Sequence, residues 1–275
     1  MSKMTDPQYL KSEQYKDASN LNARAAIHWR FSTNPHGWNA WVFDHLGTLP
    51  AQARILELGC GPAYLWSANA ARIPAGWEIT LSDLSHGMLE TAKAALAKTR
   101  RPFTFEVIDA QSIPYPDEHF DLVIANHMLY HVPDRPKAIQ EIRRVLRSPG
   151  ALPGRSPGGR LIATTVGKHH MEELNAWLQR LSPDPDFALF RMRFTLDNGL
   201  AQLQPCFRQV EIHSYDDNLR VTEIEPLMAY IHSTARGKEI PASALAQLRS
   251  ELEAELQSKG AIFIQNGSGL FDAVK

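Results

Sequence analysis

The segment Ile55-Leu56-Glu57-Leu58-Gly59-Cys60-Gly61-Pro62-Ala63 decides the fold class. It is an apolar run of β-strand type that ends in a Gly-x-Gly turn, and a helical pattern follows it. Glycines at such a turn let backbone N–H groups approach a ligand at the carboxyl end of the first strand of an open α/β sheet. A dinucleotide-binding fingerprint would place a third glycine at position 64, but Tyr64 stands there, which argues against a pyrophosphate on this helix.

Outward from this segment, short β-branched or Leu-rich runs alternate with longer amphipathic runs over residues 53–166. This alternation predicts a parallel sheet flanked by helices. The predicted strands are Arg54 to Leu58, Glu78 to Ser82, Thr104 to Ile108, Phe120 to Ala125, Gly159 to Val166, Phe207 to Tyr215 and Leu270 to Val274. The predicted helices are Tyr64 to Ala71, Gly87 to Lys98, Pro136 to Leu146, Val221 to His232 and Ala242 to Ser258. We therefore expect an α/β fold: a doubly wound, Rossmann-like, mostly parallel sheet with an antiparallel last strand, plus helical N-terminal and C-terminal cap elements.

Three regions are predicted along the chain. Residues 1–50 form an aromatic-rich helical flank, residues 51–167 the ligand-binding core, and residues 168–275 the late strands with an inserted helical cap. Within the core, residues 148–159 must be a loop, since they contain three prolines and four glycines and repeat the motif Arg-Ser-Pro-Gly at a spacing of eight. We expect that loop to be solvated and without function.

Composition narrows the function classes. The 29 Lys and Arg balance 30 Asp and Glu, and no basic block appears, which argues against nucleic acid or an anionic membrane as partner. Two cysteines, Cys60 and Cys206, cannot build a disulfide framework, and no signal peptide or membrane span is recognisable. A cytoplasmic protein that is a monomer or homodimer is the expectation.

Two acids follow later strands of the predicted sheet. Asp83 lies at the end of the second strand, where a carboxylate can accept hydrogen bonds from both hydroxyls of a ribose. The alternative for Asp83 is a helix N-cap. Asp109 follows the third strand, where it can accept from the exocyclic amine of a purine. Together with the glycine turn, these positions describe an adenosine site.

At this point the chain resembles the class I S-adenosylmethionine-dependent methyltransferases over residues 53–166. The resemblance rests on acid-x-Gly-x-Gly, an acid after strand two, Asp-Ala after strand three, Phe-Asp-x-Val-Ile on strand four and Pro-Gly-Gly-x-Leu before strand five. It departs at Ala63, where that family usually has a third glycine. The resemblance implies S-adenosylmethionine as cofactor, with Glu57, Gly59 and Gly61 at its methionine part. The predicted cofactor-binding residues are Tyr15, Glu57, Gly59, Cys60, Gly61, Asp83, Leu84, Met88, Asp109, Ala110, Gln111 and Asn126.

A narrower resemblance extends into the flanks. Asn20-Leu21-Asn22-Ala23-Arg24, Phe31-Ser32-Thr33-Asn34 and residues 125–132 look like small bacterial methyltransferases of unassigned substrate.

The end of strand four would face the transferred methyl group. His127 and His131 titrate in a useful range for a base, and Tyr130 could orient an acceptor, so these three are the candidate catalytic residues. The alternative for each histidine is a hydrogen bond that holds a loop. A metal site is not expected, because no third ligand accompanies the two histidines.

The N-terminal aromatic residues have two interpretations. Tyr15, His28, Phe31 and Trp38 could close over the cofactor, with the last three touching substrate and the loop 32–37 moving. Alternatively, the flank packs on the edge of the sheet, which the spacing of Trp41, Phe43 and Leu46 favours. Three further side chains receive no chemical role: His169 and His170 are expected at a solvated helix start, and Cys206 as a small buried residue.

A small-molecule acceptor is the favoured substrate, since neither a stacking slot nor a basic track for nucleic acid is visible. The atom that receives the methyl group stays open. Two other functions remain: a non-catalytic module that binds the cofactor for regulation, and an NAD-dependent oxidoreductase of the same fold, against which Tyr64 speaks.

Overall fold

The computed structural model describes residues 3–47, 49–150, 158–181 and 193–275. Within these residues it has nine β-strands and ten α-helices. The strands are β1 (Arg54–Leu58), β2 (Glu78–Asp83), β3 (Thr104–Val107), β4 (Leu122–Asn126), β5 (Arg160–Val166), β6 (Gln209–Tyr215), β7 (Asn218–Val221), β8 (Ile262–Gln265) and β9 (Ser268–Val274). The helices are α1 (Pro7–Tyr9), α2 (Ser19–Phe31), α3 (Trp38–Asp44), α4 (Tyr64–Ala68), α5 (His86–Leu96), α6 (Arg135–Val145), α7 (Glu172–Leu181), α8 (Gly199–Leu203), α9 (Ile224–Ser233) and α10 (Ala242–Lys259).

Seven strands form one sheet in the order β3-β2-β1-β4-β5-β9-β6. β9 runs antiparallel to both of its neighbours, whereas the pairs on the other side of β5 are parallel. The predicted fold class is therefore confirmed. The strand order reverses between β1 and β4, and a crevice opens at the carboxyl ends of the strands at such a switch point. Because Leu58 pairs with Ala125, the residues that follow these two strands lie side by side at that crevice.

The five central strands begin or end within two residues of their predicted positions. Buried positions run almost without interruption along β1 and β4, as expected of strands covered by helices on both faces. The sequence analysis missed the short pair β7–β8, whose four-residue strands alternate buried and exposed side chains. A pattern of four residues is too short to distinguish from a loop by periodicity.

The two flanks share one apolar cluster. Ile27 of α2 packs with Leu219 of β7, Ile231 of α9 and Leu248 of α10, all fully buried. The cap elements thus include a two-stranded sheet and combine residues from both ends of the chain. The predicted boundaries at residues 50 and 167 stay a prediction. The repeat in the loop 148–159 falls largely on residues 151–157, which lie outside the described residues. No helix in the described ranges is both long and apolar enough to cross a bilayer.

Arg160 at the start of β5 ties the first flank to the sheet. Its guanidinium forms a two-pronged ion pair with Asp272 of β9, with Nε–Oδ1 at 3.0 Å and Nη2–Oδ2 at 2.5 Å. It also donates to the carbonyls of Leu46 at 2.7 Å and His45 at 3.0 Å, just after α3. With side-chain exposures of 17% and 19%, the pair is largely removed from water, so these bonds stabilise more than a surface pair does.

Replacing Arg160 by Leu should lower the free energy of unfolding by about 2 to 4 kcal/mol, since it leaves Asp272 and two carbonyls without a partner. Chemical denaturation measures the change. Arg249→Leu breaks an exposed pair with Glu225 on the cap and serves as control, with no resolvable change expected. Equal effects from both variants would contradict the role assigned to Arg160.

Candidate functional site

The turn after β1 depends on residues in the left-handed region. Gly59 and Gly61 have φ of 68° and 52°, and Ala63 has φ of 59°. A Cβ on Gly59 would lie 2.8 Å from Cβ of Met128, so only glycine allows the loop to pack against the segment after β4. Ala63 adopts the conformation for which glycine is best suited, which costs about 1 kcal/mol. The departure from the third glycine therefore leaves the turn intact.

Asp83 joins this turn to the next strand. Its Oδ2 accepts from the Gly61 N–H at 3.0 Å and its Oδ1 from the Ser85 N–H at 2.8 Å. The N-cap of α5 is Ser85, whose hydroxyl accepts from the Met88 N–H, so Asp83 is not the helix cap. Burial raises the pKa of Asp83 while the backbone donors lower it. The carboxylate lines the cavity and keeps lone pairs for a further donor.

Glu57 lies beneath the turn and does not line the cavity. Only 2% exposed, it accepts a hydrogen bond at 2.6 Å from the indole Nε1 of Trp66. Burial raises its pKa to about 8, and no described cation pairs with it. Glu57 therefore supports the loop from below, and the geometry offers no direct contact of its side chain with a ligand in the cavity.

The other predicted cofactor residues lie together along one wall. Asp109 is exposed and accepts from the Gln111 N–H at 2.9 Å, which holds the turn after β3, while Ala110 is buried against the core. The predicted residues that line this end of the cavity are Gly59, Cys60, Gly61, Asp83, Leu84, Met88, Asp109, Ala110, Gln111 and Asn126.

At the end of β4, a small hydrogen-bond chain sets the backbone. The Thr164 hydroxyl donates to Asn126 Oδ1 at 2.6 Å and accepts from the His127 N–H at 2.9 Å. His127 thereby adopts φ of 53°, and its ring lies 5.1 Å from the ring of Trp38. Among the described residues, none forms a hydrogen bond with the His127 ring. The ring nitrogens are available to a molecule in the cavity.

His131 is committed to internal bonds instead. Its Nδ1–H donates to the Met4 carbonyl at 2.9 Å, which leaves Nε2 to accept from the Tyr15 hydroxyl at 2.9 Å. Both nitrogens are occupied, so the geometry favours the alternative of a structural bond over a base. Tyr15 and His131 together hold the first residues of the chain across the cavity.

Three half-buried histidines, His28, His127 and His170, also line the cavity. The rings of His28 and His170 stack with centroids 6.1 Å apart, and His127 is their electrostatic neighbour. Burial lowers the pKa of His28 and His127 to about 4 and that of His170 to about 3, so all three are neutral near pH 7. The prediction of a solvated pair is wrong for His170, whereas His169 is exposed. No three His, Cys, Asp or Glu side chains in the described ranges are arranged to hold a metal ion.

Two of the three predicted substrate residues, His28 and Trp38, line the cavity. The candidate catalytic residue Tyr130 lines it as well. Phe31, 6% exposed, packs in the apolar cluster between the flanks and does not reach the cavity, because Ile27 and Phe31 share the buried face of α2. The loop 32–37 is anchored where motion was expected, since Asp217 Oδ1 accepts from the Ser32 hydroxyl and from two backbone N–H groups.

Sequence reasoning missed several lining residues on the flanks. Arg24 is four residues before His28 on α2, and this spacing places both on one face. Tyr230 on α9 and Asn266 before β9 have no local pattern that marks them. The cavity they complete has a volume of about 1150 Å³, slightly above the roughly 300 to 1,000 Å³ of most small-molecule sites.

The half-buried histidines predict that stability falls in weak acid. Each has a folded pKa below its unfolded value, so the unfolded chain binds more protons between about pH 6.5 and 4, and stability is lost as the pH falls through that range. Glu57 has a raised pKa, so its effect on the pH dependence of stability has the opposite sign and offsets that of one histidine. His28→Gln should reduce the slope of unfolding free energy against pH by up to about 1.4 kcal/mol per unit. An unchanged slope in His28→Gln, matching that of the exposed control His86→Gln, would contradict this account.

Comparison with known proteins agrees with the fold and the turn. Residues 56–152 match the family model described as a methyltransferase domain. The chain is 31% identical over 164 residues to the malonyl-[acyl-carrier protein] O-methyltransferase of Enterobacter lignolyticus, covering 58% of each chain. It is 28% identical over 140 residues to the ubiquinone/menaquinone biosynthesis C-methyltransferase of Vibrio parahaemolyticus, covering 50% of each. The chain thus spans little more than half the length of these relatives.

Among solved structures, the phosphoethanolamine N-methyltransferase 2 of Haemonchus contortus, in complex with phosphomonomethylethanolamine and S-adenosylhomocysteine, superposes with a TM-score of 0.58. The match is 21% identical and covers 100% of this chain and 60% of that one, so it is a likeness of fold. The residues that match the methyltransferase domain include the glycine turn, Asp83 and Asp109, which lie at the carboxyl edge of the seven-stranded sheet. Over residues 56–152 the chain therefore matches a methyltransferase domain, and it is similar to methyltransferases over little more than half of its length.

Proposed function

We propose that this protein transfers the methyl group of S-adenosylmethionine to a small-molecule acceptor by in-line displacement. One observation carries the proposal: a single cavity is lined both by the glycine turn, Asp83 and Asp109 and by the neutral ring of His127. These two sets of residues match the two halves of such a reaction, a nucleoside that is held and an acceptor that is aligned. The curated relatives named above act on different acceptors, so the acceptor of this chain is not taken from them.

The residues around the glycine turn suit the cofactor. Asp83 is already held by two backbone N–H donors and would accept from the ribose hydroxyls with its remaining lone pairs. Asp109 would accept from the adenine amine, with Ala110 packed below the ring. The turn at Gly59 and Gly61 has no side chain to block the methionine part.

The chemistry of methyl transfer needs little from the protein. When bound, the cofactor supplies a methyl group already activated by the sulfonium charge. Trp38 and Tyr130 would position the acceptor and exclude water from it. His127, neutral at physiological pH and without an internal partner, would accept the proton that an oxygen or nitrogen acceptor loses.

The cellular location and the oligomeric state of the protein belong to the same proposal. A cytoplasmic location is inferred from Cys60 and Cys206, which are both free thiols. The monomeric or homodimeric state stays a prediction. A reducing compartment is consistent with both thiols.

Calorimetric titration with S-adenosylmethionine, S-adenosylhomocysteine and NADH tests the cofactor. We expect micromolar binding of the first two and none of NADH. Asp83→Ala should weaken binding of S-adenosylhomocysteine by roughly 10- to 100-fold, because two charge-assisted hydrogen bonds are lost. Asp117→Ala, an exposed carboxylate distant from the cavity lining, should bind like the wild type. Binding of NADH alone would overturn the proposal.

Turnover with a library of small-molecule acceptors, followed as formation of S-adenosylhomocysteine, separates an enzyme from a binding module. For an acceptor that loses a proton, His127→Gln should lower kcat by roughly 10²- to 10⁴-fold while cofactor affinity stays intact. Exposed His86→Gln is the control and should retain full turnover. Full turnover in His127→Gln with such an acceptor would remove His127 from the mechanism, and binding without turnover across the library would favour the regulatory module.

A further inference from the structure

Arg24 places a positive charge inside the cavity. It lies on α2, lines the cavity, and its guanidinium sits 5.3 Å from the ring centroid of Tyr15. Its terminal Nη2 is buried from solvent. A guanidinium cannot lose its proton in a protein, so the charge is present at every working pH.

This buried charge lacks an ionic partner within the chain. No side chain or carbonyl in the described ranges accepts a hydrogen bond from Nη2 of Arg24, and no described carboxylate forms an ion pair with it. A buried charge without a counter-charge is costly, and proteins normally pair it. By contrast, Arg160 of β5, similarly removed from water, uses its donors on Asp272 and two carbonyls.

The acids of the cavity wall are already engaged. Asp83 and Asp109 are proposed to hold the nucleoside. Asp217 accepts five hydrogen bonds, four at Oδ1 from residues 32–34 and one at Oδ2 from Asn266 at 2.6 Å. None of these three carboxylates is available to neutralise Arg24.

Most neighbours of Arg24 lie outside the predicted cofactor-binding residues. Its side chain interacts with Tyr15, with Tyr130 and His131, which follow β4, and with Tyr230 of α9. Of these, only Tyr15 was predicted to bind the cofactor, which favours a place beside the acceptor. The neutral tyrosines around the guanidinium supply no counter-charge, and Nη2 has no hydrogen-bond partner among the described residues.

We propose that Arg24 binds an anionic group of the methyl acceptor, so that the acceptor is a small organic acid bearing a carboxylate or a phosphate. The planar guanidinium presents paired N–H donors that fit two oxygens of such a group. This inference rests on the proposed function, because it requires that the cavity bind a methyl acceptor as well as the nucleoside. The charge, with the tyrosine rings around it, selects an acid with an apolar body over a neutral or cationic molecule of the same size.

Thermal unfolding of the protein saturated with S-adenosylhomocysteine tests whether Arg24 binds an anion. The probes are benzoate, phenyl phosphate and inorganic phosphate, each compared with benzamide or with chloride at equal ionic strength. At least one anion should raise the melting temperature of the wild type, benzamide should not, and Arg24→Gln should lose roughly 10- to 100-fold in affinity for that anion. Arg30→Gln, which removes an exposed arginine two turns along the same helix, should behave like the wild type. Equal responses in Arg24→Gln and the wild type, or no response to any anion, would overturn the proposal.

A second pair of titrations distinguishes the acceptor from the carboxylate of the cofactor. 5′-Methylthioadenosine contains the nucleoside without the amino acid. If Arg24 serves the acceptor, Arg24→Gln binds S-adenosylhomocysteine and 5′-methylthioadenosine as the wild type does. A tenfold or greater loss for S-adenosylhomocysteine alone would assign Arg24 to the cofactor and overturn the proposal. Failure of the wild type to bind either nucleoside would instead overturn the proposed function itself.

Thermal unfolding without ligand tests whether Arg24 has a structural role. Because no described carboxylate pairs with Arg24, Arg24→Met should melt at the same temperature as the wild type or higher. A structural arginine such as Arg160 should do the opposite when replaced. A marked drop in the melting temperature of Arg24→Met would contradict the proposal.

Discussion

The hydrogen bond from the Gly61 N–H to the Asp83 carboxylate is the contact on which the rest of the site depends. It joins the turn after β1 to the end of β2, and the second oxygen of Asp83 accepts from the Ser85 N–H where α5 begins. The parallel register that pairs Leu58 with Ser82 brings these groups together. The parallel register with β4 sets Met128 against Gly59, so one turn positions both the loop after β2 and the segment after β4.

Several polar groups at or beneath this cavity are held in neutral or unpaired states that cost stability. Glu57 is buried without a cation, three histidines are uncharged, and Arg24 has no carboxylate partner among the described residues. A core built only for stability would pair or replace such groups. Their concentration around one cavity has a functional explanation, because groups left unpaired by the fold are those that a ligand can satisfy.

The flanks supply a large part of the cavity lining. The N-terminal segment is held by the bonds of His131 to Met4 and Tyr15, and the Lys16 carbonyl rests on Gly87 at a place where a Cβ would lie 2.0 Å away. Arg24, Tyr230 and His170 come from elements outside residues 56–152, the part that matches the methyltransferase domain. The part that matches the domain therefore contributes the glycine turn, Asp83 and Asp109 to the cavity, and the flanks contribute Arg24, Tyr230 and His170.

The sequence by itself determined the sheet, its strand boundaries to within about two residues at the centre, and the positions of Gly59, Asp83 and Asp109 at its carboxyl edge. Those features are local: an apolar run, a turn that needs positive φ, and an acid that follows a strand. Tertiary structure alone decided that Glu57 lies below the turn, that Phe31 packs away from the cavity, that both nitrogens of His131 are bonded internally, and that His170 and Arg24 enter the site. Each of these depends on which distant element covers a side chain, and burial and hydrogen-bond partners contributed from more than 100 residues away leave no periodic trace in the sequence around it.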